Sequence, residues 1–220
     1  MNILKRTLFI FFCFTFIFCN SLLPVFSDEN SSFSFVDKIC LGLAQNQNTT
    51  GIFTQTKVIA QSGRKLKSTG TFIISPYGIM WKTEKPFANT LIITENKMIQ
   101  TTASGNQSVL DGSDNQIFKN ISTVLRSLFM GNSQELYKNF DIVVKSSQSD
   151  NWIIELSPKD ANIASVMKIF TLSGAIQKDR TILNSLEIQE NSNNIIKYEF
   201  SDQKYPQDLT ENEKASFTNN

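Results

Sequence analysis

The chain has 220 residues, room for one ordinary domain with a real core or two very small ones. Its 21 Lys and Arg against 20 Asp and Glu leave a formal charge of +1, with no basic surplus of the kind nucleic-acid binding needs. It contains no His, which excludes a His-based triad and a His-ligated metal site.

The first residues have the layout of a secretory signal peptide. Lys5 and Arg6 form a charged start, Leu8 to Phe18 is almost unbroken apolar sequence, and Val25-Phe26-Ser27 precedes Asp28-Glu29. Cleavage after Ser27 is expected, giving a leader over 1–27 and one domain over 28–220. The competing readings are an uncleaved anchor and a lipid-modified Cys19, although the bulky Phe18 precedes that cysteine. Cleavage removes Cys13 and Cys19. Cys40 alone then remains, without a partner for an internal disulfide, and its apolar neighbours predict a buried, inert thiol.

Phe35 to Gln45 carries apolar residues at helical spacing, with Ser32 or Ser34 to cap it. Four β-patterned runs follow within Gly51 to Thr94: 52–61, 66–75, 78–84 and 89–94. Ser62-Gly63 and Ser75-Pro76-Tyr77-Gly78 punctuate them. Short strands joined by tight turns imply an antiparallel sheet, since parallel strands need long crossovers. In the first strand Ile52, Thr54, Thr56, Val58 and Ala60 share a face, taken as the covered one, which leaves Phe53 outward with Ile59 and Ile73. Leu66, Phe72 and Ile74 share a face in the second, Ile79 and Trp81 in the third, and the fourth is apolar on both sides at Leu91, Ile92 and Ile93. Lys97 to Thr102 reads as a fifth strand, and Val109-Leu110 as a short one.

The period then changes. From Asp114 to Met130 the apolar residues Ile117, Ile121, Val124, Leu125, Leu128 and Phe129 recur at helical spacing, with Ser113 or Asp114 to cap and Gly131 to end the helix. A helix between two runs of strands is expected to lie over the sheet. Strands resume at 140–145, 152–156, 166–172, 180–189 and 195–200, with a short helical piece near Asp160. The tail from Ser201 is polar apart from Tyr205, Leu209 and Phe217 and is expected to cling loosely. The sum is roughly ten strands and two or three helices.

Chemistry-bearing patterns are few. There is no G-x-S-x-G elbow, phosphate loop or CxxC spacing, and acidic residues are scattered singly. Gly63-Arg64-Lys65 with Lys67 makes a basic hairpin tip, a plain turn or a contact for anionic lipid. The apolar residues fit either an ordinary core or helices closing over an apolar cavity.

GIFTQTK at 51–57, LKSTGTFIISP at 66–76, GIMWKTEKPF at 78–87 and TLIIT at 90–94 resemble the periplasmic lipoprotein carrier family, LolA and its relatives. The framework of Pro76, Trp81 and Pro86 is the most specific part, and WIIELSPKD at 152–160 resembles a later strand of that family. The resemblance implies an α+β fold: a half-open antiparallel β-barrel with lid helices over an apolar cavity. It implies cavity walls at Phe72, Ile74, Ile79, Trp81 and Ile93, and a lid at Ile117, Ile121, Val124, Leu125 and Leu128. The implied activity is non-enzymatic carriage of lipoprotein acyl chains by a monomer, from an inner-membrane ABC transporter to an outer-membrane acceptor. No cofactor, metal or nucleic acid is implied. Ser75 stands where the best-studied members carry an Arg that latches the lid, so either the latch or the cargo differs. The alternative function is a module of the same fold that senses or carries another lipid or apolar ligand. A lipid hydrolase is a third reading.

Overall fold

The computed structural model describes residues 29–95, 97–111, 124–147, 150–178 and 180–218. The expected leader, Ile117, Ile121 and the start of the predicted long helix lie outside the described residues.

Helix α1 (Glu29–Ala44) opens the described chain. Six strands follow: β1 (Thr49–Val58), β2 (Lys65–Ser75), β3 (Gly78–Lys85), β4 (Asn89–Ile93), β5 (Lys97–Thr102) and β6 (Gln107–Asp111). Residues 124–129 form helix α2, and α3 (Ser133–Asn139) comes directly after it. Then come β7 (Phe140–Ser146), β8 (Asn151–Pro158), the single turn α4 (Ala161–Ala164), β9 (Met167–Gln177), β10 (Arg180–Glu190) and β11 (Ile195–Lys204). Helix α5 (Glu211–Thr218) closes the described chain.

The strands make one open antiparallel sheet in the order β6-β5-β4-β3-β2-β1-β11-β10-β9-β8-β7. Each half is a meander in which a strand pairs with its neighbour in sequence, the arrangement tight turns permit. The halves are joined by β1 against β11, from Thr50↔Lys204 to Val58↔Ile195. That junction leaves β6 and β7 at opposite edges. The chain between them must therefore pass from edge to edge, and its described part, α2 and α3, lies on one face together with α1. This is the expected half-open barrel with helices over it, built from eleven strands among the described residues rather than roughly ten.

The helix-covered inner face holds the main core. Val36, Ile39, Cys40 and Leu43 of α1 meet Val124, Leu125, Leu128 and Phe129 of α2, and both meet the strands of both meanders. Trp152 fits flat against β9 because its cross-strand partner is Gly174, where a Cβ would lie 2.2 Å from Trp152 Cζ2. α2 ends as its sequence predicts. Gly131 takes φ 71°, and the Asn132 N–H donates to the Ser127 carbonyl at 2.9 Å, a Schellman closure. Asp160 caps α4 by accepting from the N–H groups of Asn162 and Ile163.

Two expectations need correction. The faces of β1 are exchanged: Phe53 is fully buried and Ile52 is 41% exposed. Phe53 lies opposite Gly70 on one side and Phe200 on the other, and its ring packs beside Trp81 and Tyr198 on the inner face. One large aromatic packed among others outweighs a run of Thr and Ile. The tail is also not loose. β11 continues to Lys204, and Leu209 just before α5 and Phe217 within it pack on Ile73, Ile92, Ile99 and Met80 of the outer face. Thr210 and Glu213 form a reciprocal capping box, since the Thr210 N–H donates to Glu213 Oε2 at 2.8 Å and the Glu213 N–H to Thr210 Oγ1 at 3.3 Å.

Candidate functional site

Strand alternation brings the expected wall together. Phe72, Ile74, Ile79, Trp81 and Ile93 are all buried on the inner face and belong to one apolar cluster. Ile79 stands opposite both Ile74 and Ile93, so three branched side chains form a continuous strip across β2, β3 and β4. The expected lid residues Val124, Leu125 and Leu128 lie in the same cluster.

Beside this strip lies an aromatic group that the sequence reading did not assemble. Trp81 is within 6.4 Å of Phe53, 6.5 Å of Phe72, 5.8 Å of Tyr198 and 6.3 Å of Phe200, centroid to centroid. Tyr198 and Phe200 come from β11, at the far end of the chain from Trp81. Their alternation with Ile196 was the available signal, and only the β1–β11 junction shows which strands it faces. Two polar atoms sit in this group. Trp81 Nε1 is buried without a hydrogen-bond partner among the described residues. Burial pushes the Tyr198 phenol up to about 12, so its hydroxyl stays protonated.

The roof is tied in two places. Tyr137 Oη donates to Asp37 Oδ1 at 2.8 Å, joining α3 to α1. Asn46, just past α1, donates its side-chain amide to the Thr181 carbonyl of β10 at 2.8 Å. Ser75 is fully buried and its hydroxyl donates to the Gly78 carbonyl, closing its own turn. Cys40 lies under the roof, and burial with help from Asp37 raises its thiol to about 12, which makes it a poor nucleophile.

A cavity of about 10 Å³ lies between Thr49, Phe72, Ile74, Phe129, Leu183, Phe200 and Gln203, room for about one water. A cavity of that size admits an acyl chain only if the side chains around it move. A larger cleft of about 690 Å³ opens on the other side of Phe200 and Gln203. Among the described residues no group of three or more metal-ligating side chains converges, and no helix is long and apolar enough to cross a membrane.

The sequence profile described as "Outer membrane lipoprotein carrier protein LolA" matches residues 44–215. No curated protein matches the chain. Among solved structures, a putative outer membrane lipoprotein-sorting protein domain from Vibrio parahaemolyticus is 9% identical, with 84% of this chain and 98% of that chain covered and a TM-score of 0.47. A LolA superfamily protein from Nitrosomonas europaea is 9% identical, with 81% and 94% covered and a TM-score of 0.45.

Proposed function

This chain belongs to the LolA outer membrane lipoprotein carrier family, and on that premise we propose that it carries the acyl chains of lipoproteins on its inner face. The observation that supports this is the make-up of that face. Side chains of both meanders form one apolar cluster, roofed by helices that come from a single edge-to-edge connection and from α1. Covering and binding are then separate parts of the chain, as a carrier requires.

The energetics agree. Burying acyl chain stabilises by about 0.8 kcal/mol per CH₂, so a chain of about 16 carbons contributes on the order of 13 kcal/mol when fully dried. Release into water is then slow, and hand-over needs a partner that offers an equivalent apolar surface. An inner-membrane ABC transporter as donor and an outer-membrane acceptor fit that need. The carrier works as an exported periplasmic monomer, and binding rather than catalysis is its activity.

A second reading is carriage of a free lipid by the same face. Ser75 supports it: a buried hydroxyl that closes its own turn replaces the latching Arg of the resemblance. Mass spectrometry of the protein purified from its own envelope separates the two. Co-purified acylated polypeptide is expected; free lipid alone would favour the second reading. For the face itself, an apolar fluorescent probe should bind and be displaced by acyl ligands. Ile79→Glu should abolish that binding and Ile93→Ala should weaken it, with the far-ultraviolet circular dichroism retained. Unchanged probe affinity in both folded variants would remove this face as the binding wall.

A further inference from the structure

The sheet is split. β10 and β11 pair only from Ser185↔Glu199 to Gln189↔Ile195, although β10 begins at Arg180 and β11 runs on to Lys204. Each strand stays paired on its other side, β10 with β9 to Arg180↔Gln177 and β11 with β1 to Lys204↔Thr50. Both strands are irregular where they part. The register of β10 slips between Leu183 and Ser185, the β1–β11 register slips between Thr50 and Ile52, and Asp202 takes φ 50°. Bulges bend and twist a strand, which accounts for the divergence.

Side-chain amides satisfy carbonyls along the parted edge of β10. Gln203 Nε2 donates to the Leu183 carbonyl at 2.7 Å, and Asn46 Nδ2 donates to the Thr181 carbonyl at 2.8 Å. Tyr205 Oη holds Gln203 from behind, donating to its Oε1 at 3.2 Å. Amides are easier to displace than a β-ladder, because a rotamer change breaks the bond without moving backbone.

The gap is the cleft of about 690 Å³, lined by Lys178, Arg180, Asn184, Asp202, Gln203 and Phe200 among others. Lys178 and Arg180 make no ion pair among the described residues; the Arg180 guanidinium lies 4.2 Å from the centroid of the Tyr205 ring. Phe200 and Gln203 line both this cleft and the small apolar cavity of the inner face, so one residue pair separates polar outside from apolar inside.

We propose that this cleft is a side portal that seats the anionic head, phosphate or carboxylate, of an acyl ligand whose chain passes Phe200 onto the inner face. Lys178 and Arg180 meet the head, Asn184 hydrogen-bonds it, and Gln203 is the bar across the entry. The proposal rests on the acyl-binding reading of the inner face, but not on whether the acyl chain belongs to a lipoprotein.

The test uses the whole chain with two probes of equal length, decyl phosphate and decanol. Lys178→Glu together with Arg180→Glu should weaken decyl phosphate by about tenfold or more, as loss of charge-assisted contacts does, and leave decanol within about twofold. Gln203→Ala should raise the uptake and release rates of decyl phosphate several-fold together, with little change in affinity. Equal effects of the charge reversal on both probes, or unchanged rates in Gln203→Ala, would overturn the portal. Decanol binding without decyl phosphate binding in the unaltered chain would overturn it too, and leave the carrier reading standing. Failure of both probes to bind would overturn both.

Discussion

The Tyr137 hydroxyl donates to Asp37 Oδ1 at 2.8 Å, and this one bond ties α3 to α1 across the roof. Burial, then Asp37 itself, raises the phenol above its ordinary range, so the hydroxyl remains a donor throughout the working pH range. Tyr137→Phe keeps the ring and removes the bond. It should lower stability by about 1–2 kcal/mol, the range for a partly buried bond to a charged acceptor. A double-mutant cycle with Asp37→Ala in urea melts isolates the pair. Additive losses would mean that the Tyr137–Asp37 bond adds nothing to the packing of α3 on α1.

Alkali should loosen the fold from within. Burial raises the Cys40 thiol from 9.0 and the Tyr198 phenol from 10.0, each to about 12. The folded form therefore holds protons that the unfolded chain gives up first. The stability linked to them is full below the unfolded values and is lost as pH rises through them, levelling off near 12. Urea midpoints should fall from about pH 9 upward. Cys40→Ala should remove the first part of the slope and Tyr198→Phe some of the later part, which Tyr137 shares. A flat midpoint over that range would show that both groups reach water in the folded protein.

On the outer face, Phe217 is the anchor of α5. Its ring stacks on Tyr77 at 6.4 Å and covers part of the patch formed by Ile73, Ile92 and Ile99. The helix is otherwise polar, so little else holds it. Phe217→Ala should cost about 1.5–3 kcal/mol, one buried aromatic, and should raise binding of a hydrophobic dye as the patch opens. Retained protease resistance of residues 211–218 in that variant would mean that the capping box and Leu209 suffice.

The wall strip was legible because β-alternation is local: Phe72, Ile74, Ile79, Trp81 and Ile93 each follow from their own strand and its turns. Gly131 was legible for the same reason, since a glycine after an apolar helix stripe ends it. Phe53 was not, because its face depends on Trp81 and Tyr198, which meet its ring only in the folded sheet. Nor was the aromatic group around Trp81, whose β11 members enter through the β1–β11 junction. The split between β10 and β11 had no local mark at all. The helix α5 had one that went unread, the T-x-x-E capping box of Thr210 and Glu213, hidden because its apolar residues are too few to show a period.

Burial changes what the sequence suggests about the roof. An incompletely packed space is expected beneath a lid. Instead Val124, Leu125, Leu128 and Phe129 are 1, 2, 0 and 9% exposed. Lifting four such side chains into water costs about 6–12 kcal/mol at about 1.5–3 kcal/mol each. That is comparable to the whole stability of a typical domain, about 5–15 kcal/mol. In water, then, α2 opens about as rarely as the protein unfolds. Opening becomes easy only where acyl chain replaces the lost contacts, at a donor, an acceptor or a detergent surface. The amides of residues 124–129 report the opening directly, because a lifted helix loses the packing that holds it. Hydrogen exchange of residues 124–129 should match that of β9 and β10 in plain buffer. With a short-chain detergent below its unfolding concentration, α2 should exchange faster while β9 and β10 stay protected. Gly131→Ala, strained at φ 71° and 3.1 Å from the Ala44 Cβ, should widen that difference. Protection of α2 as deep as that of β9 and β10 with detergent present would make it fixed core, and ligand would have to enter by another way.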